Sequence, residues 1–456
     1  MTDLRLRLAL PAALLAAALT AACAGPAAPE RPNLVFVVLD NVRSDRLSLC
    51  GYERPTSPFL VQLCGREGSR CTCDAQAPSS WTLPAHASYF TGAEVPQHGA
   101  GKGGDDEGNV RLGPGTHARP LDDALPTLAE TLGERGYQTV LVSGNPLVSP
   151  ASGLTRGFTT VRHASFFGEF SGPGLPQALE DALESVEPPS ESAAPLFLFV
   201  NIANAHRPWP GVPERVDWLP PRLMLSFPQK PGRPNPQRRS FITGTMDPDE
   251  AAELVAHLGD VYDFSVRSAD RTLRLVLRTL REGGWIGGER PFRVVVTSDH
   301  GEHLGERGLM GHADPYLYEE LTRVPLAVYG SAPIPELPRQ IAALASYDLL
   351  LDGRPRRRPV RALAFASDTW PRWYRPGLGS RPGAAIWNGS EKFVSHDGEI
   401  LRYDLAEDPG ELAPERWTEE ETVAELEALL AALEASASGE PPSPEMLELL
   451  RSLGYL

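Results

Sequence analysis

The clearest pattern along the chain is a series of short, nearly continuous apolar runs, each ending in a polar or acidic residue. LVFVVLD covers 34–40, TVLVS covers 139–143, LFLFVN covers 196–201 and RVVVT covers 293–297. Runs of this length without alternation are strands buried on both faces, as in a parallel sheet. Between them lie stretches at helix spacing: a short one at 127–135, and a long one at 251–282 with Leu254, Leu258, Val261 and Tyr262 on one face. Apolar strands alternating with helices predict a three-layer α/β/α sandwich with a mostly parallel central sheet. Such sheets hold ligands beyond the C-terminal ends of their strands. Asp40, and Ser298-Asp299-His300 after the 293–297 run, stand at such ends.

Three segments break this order. Residues 99–115 are Gly- and Asp-rich and read as a loop. Residues 208–248 are rich in Pro and Arg and read as an extended surface excursion. Residues 352–383 are also Arg/Pro-rich and separate the main body from a short C-terminal unit. In that unit two strands joined at Asp397-Gly398 form a hairpin. Thr418 with Glu421 forms a capping box before a helix carrying Val423, Leu426, Leu429, Leu430 and Leu433. Residues 446–456 read as a final helix.

The first residues are a different material. Arg5 and Arg7 precede an apolar run from Leu8 to Leu19, then small residues up to Cys23. This is the layout of an export signal, and Cys23 after Ala21-Ala22 reads as the acylated first residue of a lipoprotein. The expected organisation is a signal at 1–22, a tether at 23–31, a catalytic domain at 32–350 and a C-terminal α+β subdomain at 351–456. No later run is long and apolar enough to span a bilayer. The expected location is therefore periplasmic or cell-surface, held to the membrane by the lipid.

The chain has 456 residues, 43 Lys+Arg against 59 Asp+Glu, and a net charge of -16. Such acidity argues against a surface built to neutralise nucleic acid phosphates. The 41% hydrophobic fraction excludes a core-less disordered chain. Four cysteines remain past Cys23, at 50, 64, 71 and 73. An exported location permits disulfides, and four cysteines allow three complete pairings. Cys71 and Cys73 would share one face of a strand, which suits neither their direct pairing nor a four-cysteine zinc loop. The cluster reads as a local staple or as buried thiols.

Candidate chemistry begins with Asp40, Asp299 and His300, strand-end residues that a parallel sheet would bring together. Carboxylates with an imidazole suit Zn or Mn better than Ca. In APSSWTLPAHASYFTG (77–92), Thr82 precedes a run able to start a helix at Ala85, where a hydroxyl could hold or attack an anion. His86, His98, His206 and His312 add nitrogen in predicted loops. Each of these residues alone is an ordinary cap, turn or packing residue.

Together they form a recognisable order. PNLVFVVLD with NVRSDRLSLCGY, TLPAHASYFTG, PQHG, TLGERGYQTVLVSGNP, GLTRGF, SDHGEHLGERGLMGHADPYLYEELTRVPL, YDLAEDPGE and RSLGYL resemble, in sequence, the motifs of the sulfatase/alkaline phosphatase superfamily. The resemblance implies one divalent metal ion, Zn or Mn in preference to Mg or Ca, held by Asp40, Thr82, Asp299 and His300. It makes Thr82 the nucleophile. His206 and His312 fall where relatives grip the substrate oxyanion or protonate the leaving oxygen. His86 stands where formylglycine sulfatases carry the Arg of their signature.

Two departures bear on the subclass. Asn41 replaces the second of two adjacent acidic residues, which weakens a Ca-centred site. Thr82 replaces Cys or Ser, and a threonine cannot be oxidised to formylglycine because its β-carbon would give a ketone. Threonine-type members resemble phosphoryl-transfer enzymes. The expectation is a metal-dependent hydrolase of phosphate mono- or diesters, with phosphoryl transfer to an alcohol as a variant. Sulfate ester hydrolysis at an unconventional site is the alternative, and a non-catalytic binding lipoprotein the third. The partner is an anionic ester: a small molecule, a lipid or a glycan. Residues 99–115, 166–174 and 208–248 are expected to rim the pocket.

Overall fold

The structure, a computed structural model, describes residues 31–103, 110–113, 116–164, 174–190, 192–207, 209, 218, 236–312, 315–365 and 381–438. The signal at 1–22, Cys23, the tether to residue 30, most of the 166–174 and 208–235 segments and the terminal helix at 446–456 lie outside the described residues.

Eight strands make the central sheet. Across it they run Gln340–Ala342, Ser69–Gln76, Arg323–Gly330, Phe292–Thr297, Asn33–Leu39, Leu196–Ile202, Gln138–Ser143 and Thr160–His163. Only Arg323–Gly330 runs antiparallel to its two neighbours; the other pairings are parallel. The first strand sits near the middle and is buried at every position. Its alternate residues serve two cores. Val35, Val37 and Leu39 pack with Leu60, Leu179, Tyr262 and Leu273, under the helices Pro58–Cys64, Leu175–Leu183 and Pro248–Glu282. Leu34, Phe36 and Val38 pack with Leu83, Phe90, Leu132 and Leu349, under Thr82–Thr91, Leu128–Glu134 and Ala345–Leu351. The expected three layers are present, and doubly buried strands explain why the sequence shows runs instead of alternation.

Several boundaries differ from the expectation. The 99–115 segment, read as a loop, contributes to a small antiparallel sheet of Gly101–Gly103, Val110–Gly113 and Thr116–Arg119. Its glycines hide the strand pattern. The helix Pro236–Ile242 interrupts the Pro/Arg-rich excursion. The C-terminal sheet starts earlier than expected, with Val360–Ala364 inside the segment read as a separator. Gly383–Asn388, Glu391–His396, Glu399–Asp404 and Glu415–Arg416 complete it. The hairpin turns at Asp397 and Gly398 as expected, both at positive φ. The last helix, Glu420–Ser438, opens one residue after Glu419, whose carbonyl accepts from Val423. The cap therefore falls one position past Thr418.

The C-terminal sheet is tied to the main body by charge. Lys392 is fully buried, and its Nζ donates to Leu317 O at 2.5 Å and lies 3.1 Å from Glu319 and 2.7 Å from Glu411. Just beyond, Glu320 O and Leu321 O accept from the amides of Glu302 and Gly301. At Gly301 a Cβ would strike Glu320 O at 1.9 Å, so this backbone approach requires glycine. The cysteines form two staples, Cys50–Cys73 and Cys64–Cys71. They fasten the segment after the first strand and the helix Pro58–Cys64 to the strand Ser69–Gln76.

Candidate active site

Asp40 follows the first strand, and Asp299 and His300 follow Phe292–Thr297, its parallel neighbour. All three side chains are fully buried, and one ligand atom from each lies within 4.8 Å of the others. Asp40 Oδ1 and Asp299 Oδ2 are buried with no hydrogen-bond partner. The remaining oxygens are occupied: Asp40 Oδ2 accepts from Asn145 at 2.7 Å and Asn201 at 3.0 Å, and Asp299 Oδ1 accepts from the amides of Asn41 and His300. His300 Nδ1 donates to Gly301 O at 2.9 Å, so its Nε2 carries the lone pair. Two orphaned carboxylate oxygens and one imidazole lone pair, converging without solvent, fit a divalent cation.

The electrostatics agree with that fit. Burial raises the Asp299 carboxyl well above the carboxylate range, and the neighbouring Asp40 charge raises it further. Burial opposes ionisation of Asp40 too, but His206, His300 and Asn145 outweigh it and hold Asp40 below its usual value. Burial, with His312 nearby, pushes His300 down to about 3, so the ring is neutral. A cation relieves the repulsion between two such carboxylates.

Thr82 opens the helix Thr82–Thr91, with Trp81 as N-cap; the helix starts at Thr82 itself and not at Ala85. Its Oγ1 lies 3.4 Å from His300 Nε2 and 3.4 Å from Asn145 Nδ2. The expected metal ligands and nucleophile therefore do come together.

His86 takes a different place from the one expected. It is sealed from solvent one helical turn past Thr82. Its Nδ1 donates to Thr82 O at 2.9 Å, and its Nε2 faces Asn201 Nδ2 at 3.4 Å. The ring packs edge-on to Phe90 and Phe199, and burial pushes it below its usual range. A neutral, satisfied imidazole of this kind supports the first turn of the Thr82–Thr91 helix, and both of its nitrogens are engaged. His98 is likewise internal, bonded to Ser88 Oγ and the Ala100 amide.

His206 and His312 lie on the outer side. The His312 ring stands 4.6 Å from His300 and 5.1 Å from His206. His312 Nδ1 bonds Glu302 at 2.7 Å, and Arg207 meets the other oxygen of the same carboxylate at 2.6 Å. Burial works against the Glu302 charge, but Arg207 and His312 overcome it and keep the carboxyl well below its usual range. Asn41, at φ 66°, also donates its side-chain amide to Glu302. Its side-chain Oδ1 is buried without a partner among the described residues. The second acidic position of the family motif is thus a neutral residue turned toward Glu302.

Asn145, Asn201 and Glu302 went unnoticed in the sequence. Asn201 and Asn145 stand at or just past the C-terminal ends of Leu196–Ile202 and Gln138–Ser143, where inspecting every polar residue would have found them; Glu302 directly precedes His303–Leu304 and carries no such signal. A second acidic group, His303 with Glu306 and Glu320, lies nearby, but Arg43 pairs with Glu306 and Arg307 with Glu320. That group is balanced by guanidinium.

The Sulfatase family model matches residues 32–352. No curated protein matches the sequence. Among solved structures, the chain is similar to the phosphonate monoester hydrolase of Agrobacterium radiobacter, with TM-score 0.55, 17% identity and coverage of 93% of this chain and 96% of that one. It is similar to a phosphonate monoester hydrolase from Silicibacter pomeroyi, with TM-score 0.56, 15% identity and coverage of 92% and 96%. A 2-O GAG sulfatase gives TM-score 0.56, 16% identity and coverage of 93% and 94%. With the family match spanning most of the chain and the fold shared over nearly its whole length, this protein belongs to the sulfatase family.

Proposed function

We propose that this sulfatase-family hydrolase is an exported, lipid-anchored enzyme that cleaves phosphate mono- or diesters with Thr82 as nucleophile. The observation that carries the reading is the placing of Thr82. An alcohol that cannot become formylglycine sits at a helix N-terminus beside Asp40, Asp299 and His300, with its oxygen 3.4 Å from both His300 and Asn145. The similar folds include phosphonate monoester hydrolases and a sulfatase, so fold alone leaves the ester class open.

Asp40, Asp299 and His300 would hold a divalent cation, Zn or Mn by their chemistry, which supplies Lewis-acid polarisation and lowers the pKa of a coordinated alcohol. The chain's own residues do the rest. Asn145 donates to both Asp40 and Thr82, so it fixes the hydroxyl oxygen and stabilises its charge as the proton leaves. The first amides of Thr82–Thr91 favour an anion at that end. Thr82 Oγ1 attacks phosphorus, the ester oxygen departs, and a phosphothreonine forms that water then hydrolyses. Glu302 keeps the Nδ1 proton of His312 in place, so Nε2 is the atom that exchanges a proton with the leaving oxygen. His206 stands beside it to grip the oxyanion.

The test is a parallel assay of an aryl phosphate, an aryl phosphate diester and an aryl sulfate. Phosphorus esters should turn over faster. Thr82→Ala should lose about 1,000-fold or more in kcat, and Thr82→Ser should retain turnover. Acid-quenched protein should carry a phosphate on Thr82 by mass spectrometry. Preference for the aryl sulfate, or full activity of Thr82→Ala, would overturn the proposal.

A further inference from the structure

Past the two histidines, the rim carries two guanidinium groups that this chemistry does not use for the transferred group. Arg207 follows His206 directly, and its Nη2 reaches Glu302 at 2.6 Å. Arg238 comes from the helix Pro236–Ile242, and its Nη2 donates to Met310 O at 3.0 Å. The two side chains arrive from segments about thirty residues apart in sequence and converge on one point, Gly311. A Cβ built there would lie 2.7 Å from Arg207 Nη2 and 3.2 Å from Arg238 Nη2. Gly311 is at φ 105°, a region that L side chains rarely adopt. Glycine therefore lets both guanidiniums lie against the backbone at this point.

This point adjoins the reaction centre. Gly311 immediately precedes His312, whose ring stands 4.6 Å from His300 and 5.1 Å from His206. A line of rings leads from the metal triad outward to the arginine pair. Arg207 Nε is buried and meets no hydrogen-bond acceptor among the described residues, although its Nη2 is paired. A guanidinium presents five donors in a rigid fork, which matches carboxylate, phosphate or sulfate oxygens. Its ion pair with Glu302 holds the Arg207 fork in position.

We infer that Arg207 and Arg238 form a second anion subsite, so that the preferred ester carries another anionic group on the part of the molecule that is not transferred. This rests on the reading of Thr82 and the metal triad as the reaction centre. The substrate class is thus a doubly anionic ester, with a carboxylate, phosphate or sulfate set apart from the reacting group.

The experiment compares phenylphosphonate with 3- and 4-carboxyphenylphosphonate, binding to the purified, metal-loaded protein by calorimetry. Benzenesulfonate and 4-carboxybenzenesulfonate are run beside them, so the ratio is read whichever ester class the centre accepts. The better-placed carboxylate should tighten binding about tenfold. Arg238→Ala should bring that ratio close to one, and Arg238→Lys should keep part of it; melting curves check that both variants fold. Equal affinity of the plain and carboxylated ligands overturns the subsite, as does a lack of binding by all of them. So does an Arg238→Ala variant that weakens both kinds of ligand alike. If the ratio holds but the aryl sulfate is the ester turned over, the phosphate reading fails and the subsite stands. If the ratio is absent while the aryl phosphate is hydrolysed, only the subsite falls.

Discussion

Thr82 Oγ1 accepts from an amide that also holds Asp40, and this shared donor makes Asn145 the residue on which the aim of the proposed nucleophile depends. Asn145→Ala should lower kcat about 10- to 100-fold with little change in KM, because the lost bond strengthens as charge develops on the oxygen. Steady-state kinetics on an aryl phosphate decide it; unchanged kcat would show that Thr82 aims itself. Asn145 was not legible in the sequence. It meets Thr82 from 63 positions away, and a single asparagine after a strand has no periodic signature. Asp40, Thr82, Asp299 and His300 were legible because acidic strand ends and a hydroxyl before an apolar run follow from topology and helix capping. The inward place of His86 was not legible, because a histidine one turn past Thr82 looks the same in sequence whether its ring faces a pocket or the preceding carbonyl.

The central elements were readable for a simple reason: strands buried on both faces must be apolar throughout, and the helices covering them must show a stripe. Of Ser69–Gln76 only the placing of Cys71 and Cys73 on a strand was readable, not its membership of the central sheet. Cys71, Thr72, Cys73 and Asp74 are half-buried, and two of its cysteines are spent on disulfides. One packing contact between elements has a pH signature. Asp270, on the long helix Pro248–Glu282, accepts from the Phe59 and Leu60 amides of Pro58–Cys64 at 2.8 and 2.9 Å. Burial outweighs those bonds and pushes its carboxyl up to about 6. A carboxyl raised above its unfolded value favours the fold while protonated, and that contribution is lost as pH climbs from about 4 to about 6. Urea denaturation of the wild type against Asp270→Asn should show the wild type losing about 2–3 kcal/mol of relative stability across that window. A relative gain over the same interval would contradict the burial account.

For the whole molecule, the acidic balance of -16 says little about a site where histidines and arginines gather. Among the described residues no helix is long and apolar enough to cross a membrane. Membrane attachment through an acylated Cys23 is part of the proposal. In cells expressing the full chain, wild-type protein should sediment with membranes and need detergent for release. Cys23→Ser should fail lipidation and lose that detergent requirement; unchanged behaviour would remove the lipid anchor. The family match ends at residue 352, yet buried Lys392 lies beyond it, against Leu317 and Glu319, next to the carbonyls that hold the Gly301–Glu302 backbone. A lineage that altered Lys392 would keep Asp40, Thr82, Asp299 and His300 in place in the sequence while losing the brace behind the Gly301–Glu302 backbone, and inspection of those four residues alone would not reveal the loss.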